Sequence, residues 1–119
     1  MNILCYGDSN THGINPPFSG EGSSRFPREK RWPGLLQELL PDDYVIEEGM
    51  GGRTTVFDDP TAPGRNGLQM LLPCLQSHQP LDLVVLMLGT NDLKPIFSAS
   101  PQVVGDGIRA LIELIWNPY

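Results

Sequence analysis

Histidine and cysteine are both scarce in this sequence, two of each, and that scarcity narrows the chemistry open to it. Cys5 falls in an apolar strand pattern and Cys74 in a leucine-rich helical one, the usage of small buried thiols in reducing compartments, so a disulfide scaffold is not expected. Basic charge is also short: 8 Lys and Arg against 14 Asp and Glu leave a net charge of −6. The acids are spread along the chain rather than gathered in a tail. This is not the electrostatic footprint of a nucleic-acid binder, and a neutral or weakly polar substrate suits it better. No apolar run approaches the length of a membrane span, and Met1 leads straight into a strand pattern without the basic start of a signal peptide. A cytoplasmic location away from membranes is therefore expected. With 119 residues, 39% of them hydrophobic, one globular domain over residues 1–119 is expected.

What is present is an alternation of strand and helix signals. Asn2-Ile3-Leu4-Cys5-Tyr6 reads as a buried strand that stops at Gly7-Asp8, Tyr44-Val45-Ile46 as a second, and Leu81 to Leu88 as a third. The third is the strongest strand signal and by itself reads as central. Trp32, Leu35, Leu36, Leu39 and Leu40 recur at helical spacing, with Pro33 tolerated in the first turn. Leu68, Leu71, Leu72 and Leu75 mark a second helix, which Pro73 should kink or divide. Ser100-Pro101 supplies a cap and first-turn proline for a third, whose apolar face is Val104, Ile108, Leu111, Ile112 and Ile115. Trp32 and Trp116 are expected to pack in the core. Between Asn15 and Lys30 no periodicity survives, which predicts a long loop of the kind often used as a functional lid.

Such an order predicts an α/β fold, a parallel sheet covered by helices. Ligand sites in these sheets lie beyond the carboxyl ends of the strands. Three loops leave such ends: Gly7 to Gly13, Gly49 to Thr54 and Gly89 to Asp92. Acyl transfer needs a nucleophile, a base and donors aimed at the developing oxyanion. Ser9 offers a hydroxyl and its own N–H, Gly52 a backbone N–H with no side chain in the way, and Asn91 an amide donor. Each has a plain structural use as well, as turn, tight turn or cap. Their joint occurrence, one after each strand, favours the chemical reading.

Gly7-Asp8-Ser9-Asn10, Gly49-Met50-Gly51-Gly52-Arg53-Thr54 and Gly89-Thr90-Asn91-Asp92 resemble the first three sequence blocks of the SGNH (GDSL-type) hydrolases. Asp58-Asp59-Pro60-Thr61 and Leu88-Gly89-Thr90-Asn91-Asp92 resemble more narrowly the arylesterase and acyltransferase (perhydrolase) branch. The resemblance implies a flavodoxin-like three-layer α/β/α fold. It implies an acyl-enzyme on Ser9 with an oxyanion hole of Ser9 N–H, Gly52 N–H and the Asn91 side chain, no metal or other cofactor, and short-chain or aryl esters as substrates. Asn10 stands where leucine is commonest in the first block. Glu47 stands where many relatives have asparagine, which would change how the loop after the second strand is pinned.

The family's fourth signature, Asp-x-x-His, supplies the base and its orienting acid and does not occur in these residues, so the chain is expected to represent the N-terminal portion of such a domain, ending after the third strand and its helix. His12 lies three residues past Ser9, where relatives place an aromatic that shapes the pocket; a pocket wall is expected of it rather than a base. His78 precedes the third strand and is expected at the surface or as a cap. Arg53 could meet a substrate carboxylate, but an ion pair with Asp58 or Asp59 is the better expectation. Asp8 is expected to hold backbone rather than to titrate in catalysis. In the family's strand order 2-1-3-4-5 the third strand would be an edge here, inviting a second copy or a complementary C-terminal segment. A flavodoxin-like anion-binding module and a catalytically inactive family member acting through its interfaces are the competing readings.

Overall fold

Ile3, Leu4, Cys5 and Tyr6 form an uninterrupted apolar run, and in the computed structural model they are 0–1% exposed. That model describes residues 1–17, 22 and 24–118, which group into two units, Met1–Gly51 with Pro80–Met87 and Gly52–Gln79 with Leu88–Tyr119.

In the first unit the apolar run becomes strand β1 (Asn2–Gly7), followed by the short helix α1 (Ser9–His12). A two-residue ladder joins β2 (Ile14–Asn15) to β3 (Ser24–Arg25), antiparallel. Next come α2 (Trp32–Leu39), β4 (Tyr44–Gly49) and, from the later segment, β5 (Leu83–Met87). The main sheet has the order β4-β1-β5 and both pairings are parallel, with Cys5 opposite Glu47 on one side and Val85 on the other. This is the parallel arrangement expected from the alternation. Leu81 to Leu88, despite its strong signal, does not give the central strand: β1 holds that place, and β5 has Leu83 and Met87 44% and 48% exposed at its ends.

Trp32, Leu36 and Leu40 pack on Ile3, Cys5 and Val45. Leu35 and Leu39 belong to the same helical stripe by spacing yet are 45% and 78% exposed, because a helix of only eight residues lays one narrow face on the sheet. Burial pushes the Cys5 thiol up to about 11, with Glu47 adding a smaller effect in the same direction. Part of the expected Asn15–Lys30 loop, residues 18–21 and 23, lies outside the described residues. The remainder is more regular than expected. Besides the β2–β3 ladder, Phe26 N–H donates to the Gly13 carbonyl at 2.8 Å, and Arg28–Lys30 forms a 3-10 turn.

The second unit contains α3 (Gly67–Ser77) and α4 (Pro101–Trp116), which pack against each other. Leu71 and Leu111 are both fully buried. Pro73 does not divide α3: the helix runs continuously from Gly67 to Ser77 with the proline inside it, its start fixed by the Asn66 side chain accepting from Leu68 and Gln69 N–H. Capping and tertiary packing outweigh the one hydrogen bond a proline removes. Ser100 caps α4 as expected, accepting from Val103 N–H at 3.2 Å. On α4 the apolar face is narrower than expected, since Ile112 is 42% exposed. Trp116 is not a core residue: it lies in the last turn and is 78% exposed. Where α4 meets Thr55, a Cβ on Gly107 would lie 2.1 Å from the threonine hydroxyl oxygen, so the approach requires glycine. Both cysteines are free thiols. No helix among the described residues is long and apolar enough to cross a membrane.

Glu47 pins the segment that precedes α2. Its carboxylate forms a close ion pair with Arg28 and a second with Arg31, whose Nε lies 3.0 Å away. The tether therefore holds the turn that leads into α2, not the loop that follows β4. The Arg31 and Glu47 side chains are each only 11% exposed, so removing the acid strands a mostly buried cation. Glu47→Ala should lower stability by about 2 kcal/mol, read as a lower urea midpoint at unchanged m-value.

Candidate active site

The chain leaves β1 at Gly7 and turns at once into α1, a helix of four residues, which makes Ser9 its first residue. Asp8 caps that helix: its side chain accepts from Asn10 N–H at 2.9 Å, and its carbonyl accepts from His12 N–H at 2.9 Å. The backbone-holding role expected for Asp8 is what is found. At the other end Gly13, at φ 86°, closes the turn onto the Ser9 carbonyl. Ser9 is half-buried, and as a first-turn residue its N–H is not consumed by the helix.

Its neighbours on α1 are fixed by contacts within the same unit. Thr11 is fully buried, accepts from Trp32 Nε1–H at 3.2 Å and lies 3.9 Å from the Met87 sulfur. His12 is half-buried and its Nδ1 lies 3.2 Å from the Gly49 carbonyl oxygen, which makes that nitrogen the protonated donor. His78 caps α3, its N–H bonded to the Cys74 carbonyl.

In the second unit, Gly52 sits in a turn at φ 78°, a left-handed conformation that glycine adopts without strain. Arg53 follows it and is 3% exposed. Asn91 is half-buried in the 3-10 turn Thr90–Leu93, and its Nδ2 donates to the Arg53 carbonyl at 3.1 Å. One proton of that amide is thereby committed and the other is left to donate elsewhere. The structure thus links the Asn91 side chain directly to the backbone next to Gly52.

Two buried carboxylates organise these turns: Asp59, expected from the sequence as an ion-pair partner, and Asp92, to which sequence reasoning gave no role. Asp92 is 0% exposed and accepts from both the N–H of Thr55, at 2.8 Å, and the Thr55 hydroxyl in a short hydrogen bond. Asp59 is the second, its side chain fully buried. It accepts from the hydroxyl and N–H of Thr61 at 2.6 and 2.8 Å, from Arg65 at 2.8 Å and from Lys94 at 3.1 Å. The two hydrogen bonds from Thr61, ahead of the two cations, hold its carboxyl well below the usual carboxylate range. The cations on Asp59 are Arg65 and Lys94, and Asp58 accepts from the Asn66 amide. Nearby, Phe57 and Phe97 stack with ring centroids 4.8 Å apart.

The three-stranded parallel sheet with its helices defines the class as a parallel α/β fold. Residues 5–118 match the GDSL-like Lipase/Acylhydrolase family, and the chain belongs to it. Among solved structures it is similar to an aryl esterase of M. smegmatis, at 48% identity and a TM-score of 0.89, covering 94% of this chain and 53% of that one. A carbohydrate acetylesterase from Sinorhizobium meliloti is 42% identical with a TM-score of 0.91, again over 94% and 53% of the two chains. An SGNH-hydrolase family esterase is 25% identical with a TM-score of 0.68, over 98% and 53%. The SGNH fold and the arylesterase likeness expected from the sequence are both borne out. The chain spans about half the length of these structures. A search of the curated proteins gives no match.

The Asp59 cluster makes stability depend on acid in a stated direction. Its folded-state pKa is depressed, so its contribution is complete above the unfolded value of about 3.9 and is lost as pH falls through the lower folded value. Asp59→Asn should therefore be less stable than the native chain at pH 6, with the difference narrowing steadily below about pH 4 in urea titrations. A constant difference between pH 6 and pH 2 would contradict this assignment.

Proposed function

We propose that the chain carries the nucleophile and the oxyanion donors of a serine ester hydrolase acting on short-chain or aryl esters. The observation that carries the reading is the placement of Ser9, half-buried at the first position of α1 and immediately after the central strand. Family membership supports it, as do the similar structures, an aryl esterase and a carbohydrate acetylesterase.

In this mechanism the Ser9 Oγ attacks the ester carbonyl carbon and gives up its proton to the histidine of the family's Asp-x-x-His signature, which these residues do not contain. The carbonyl π electrons move to oxygen, which accepts from the N–H groups of Ser9 and Gly52 and from the uncommitted proton of the Asn91 amide. Collapse expels the alcohol and leaves an acyl group on Ser9, which then passes to water or to another hydroxyl acceptor. His12 lines the acyl pocket, its ring held by the contact of Nδ1 with the Gly49 carbonyl. Arg53, nearly buried, contributes through its backbone carbonyl, which orients Asn91. None of these roles calls on a metal or an organic cofactor.

A serine-directed phosphonate should give a single adduct mapped by mass spectrometry to Ser9, and Ser9→Ala should lose it together with at least about 10³-fold of the aryl acetate turnover. Folded full-length protein, carrying the Asp-x-x-His signature, that neither labels nor turns over an aryl acetate would overturn the reading. Asn91→Ala should lower kcat by about 10²-fold with KM nearly unchanged, because its donor acts on charge that exists only in the transition state.

A further inference from the structure

Gly52 is held in its turn by something other than its own N–H, and the structure shows what. A Cβ built on Gly52 would lie 2.5 Å from Arg65 Nε, 2.8 Å from Cζ and 2.9 Å from Cδ. The arginine side chain therefore occupies the volume a side chain at position 52 would take. We propose that Arg65, clamped by Asp59, is a positioning residue that fixes the Gly52 peptide so that its N–H faces the developing oxyanion. The proposal rests on the esterase reading for its catalytic meaning and on local geometry for everything else.

Arg65 is fastened at both ends. Its guanidinium donates to Asp59 at 2.8 Å, and its carbonyl accepts from the N–H of Thr54 at 2.8 Å and from the Thr54 hydroxyl at 3.2 Å. The clamp that grips it is itself immobile, since the Asp59 side chain is fully buried and bonded through its other oxygen to Thr61. Arg65 is 29% exposed at the side chain, so a flat group closes one side of the turn without sealing it.

The same carboxylate reaches the other proposed donor. Lys94 binds Asp59 at 3.1 Å, and the Lys94 N–H closes the 3-10 turn on the Asn91 carbonyl at 3.4 Å. Asp59 is thus a shared anchor for the turns that carry Gly52 and Asn91. A lysine at position 65 could restore the ion pair but not the planar contact with the Gly52 Cα, because it lacks the flat guanidinium.

That difference supplies the test. Aryl acetate kinetics and the amide dynamics of Gly52, by ¹⁵N relaxation with Gly107 as internal control, are measured on native protein, Arg65→Ala and Arg65→Lys. The expected result is a kcat lower by about tenfold or more in both variants with KM within about twofold. The Gly52 order parameter should fall from the rigid range near 0.85 to below about 0.6, with Gly107 unchanged. Full recovery of kcat in Arg65→Lys, with Gly52 as rigid as in native protein, would reduce Arg65 to an ion-pair partner and overturn the proposal. Should Arg65→Ala fail to fold, Arg65→Lys alone decides. If protein that also carries the Asp-x-x-His signature shows no turnover, the esterase reading fails, while an unaltered Gly52 amide in the variants separately overturns the positioning claim.

Discussion

Strand β1 is buried on both faces and hydrogen-bonded on both edges, and the rest of the first unit follows from that double confinement. A strand flanked by parallel neighbours on each side has no polar surface to offer, which is why its interior is Ile3-Leu4-Cys5-Tyr6 and why function can begin only where it ends. Asp8 converts that ending into a helix start, and Ser9 inherits the first position. The packing of Trp32, Leu36 and Leu40 on the same strand brings Trp32 within reach of the Thr11 hydroxyl. Core and the turn that carries Ser9 are thereby braced by one side chain.

The net charge of −6 understates how the chain uses its acids. Glu47, Asp59 and Asp92 face inward, each holding a segment that has no regular secondary structure to hold it: the turn before α2, the 52–66 segment with the turn after Leu93, and the Thr55 backbone. Irregular segments cannot satisfy their own backbone groups, and a buried carboxylate with several acceptor positions does so economically. Buried carboxylates need such partners to be tolerated at all. The arrangement therefore specifies these turns more than it adds to overall stability.

Much of this was legible in the sequence, and the parts that were not share a cause. Apolar periodicity located the three main strands, all three long helices and the caps at Asp8 and Ser100, because these depend on local pattern. Periodicity could not say how much of a stripe would find a partner, so Leu35, Leu39 and Trp116 were expected inside and are exposed. Nor could it weigh Pro73 against the packing of Leu71, Cys74 and Leu75 around it. At the site, Ser9, Gly52 and Asn91 stood out because one follows each of the three strands, although each residue type is also common in turns and caps. Arg65, Lys94 and Asp92 did not, since their partners lie six to thirty-seven positions away and pairing at such range is decided by the fold alone.

The two free cysteines fall one in each unit, Cys5 fully buried in the sheet and Cys74 9% exposed on α3. A thiol so placed, and in the case of Cys5 so reluctant to ionise, reacts with an alkylating reagent only when its own surroundings open. The chain consequently carries a native chemical clock in each half. The relative rates at which the two thiols are consumed would reveal whether the halves open together or separately.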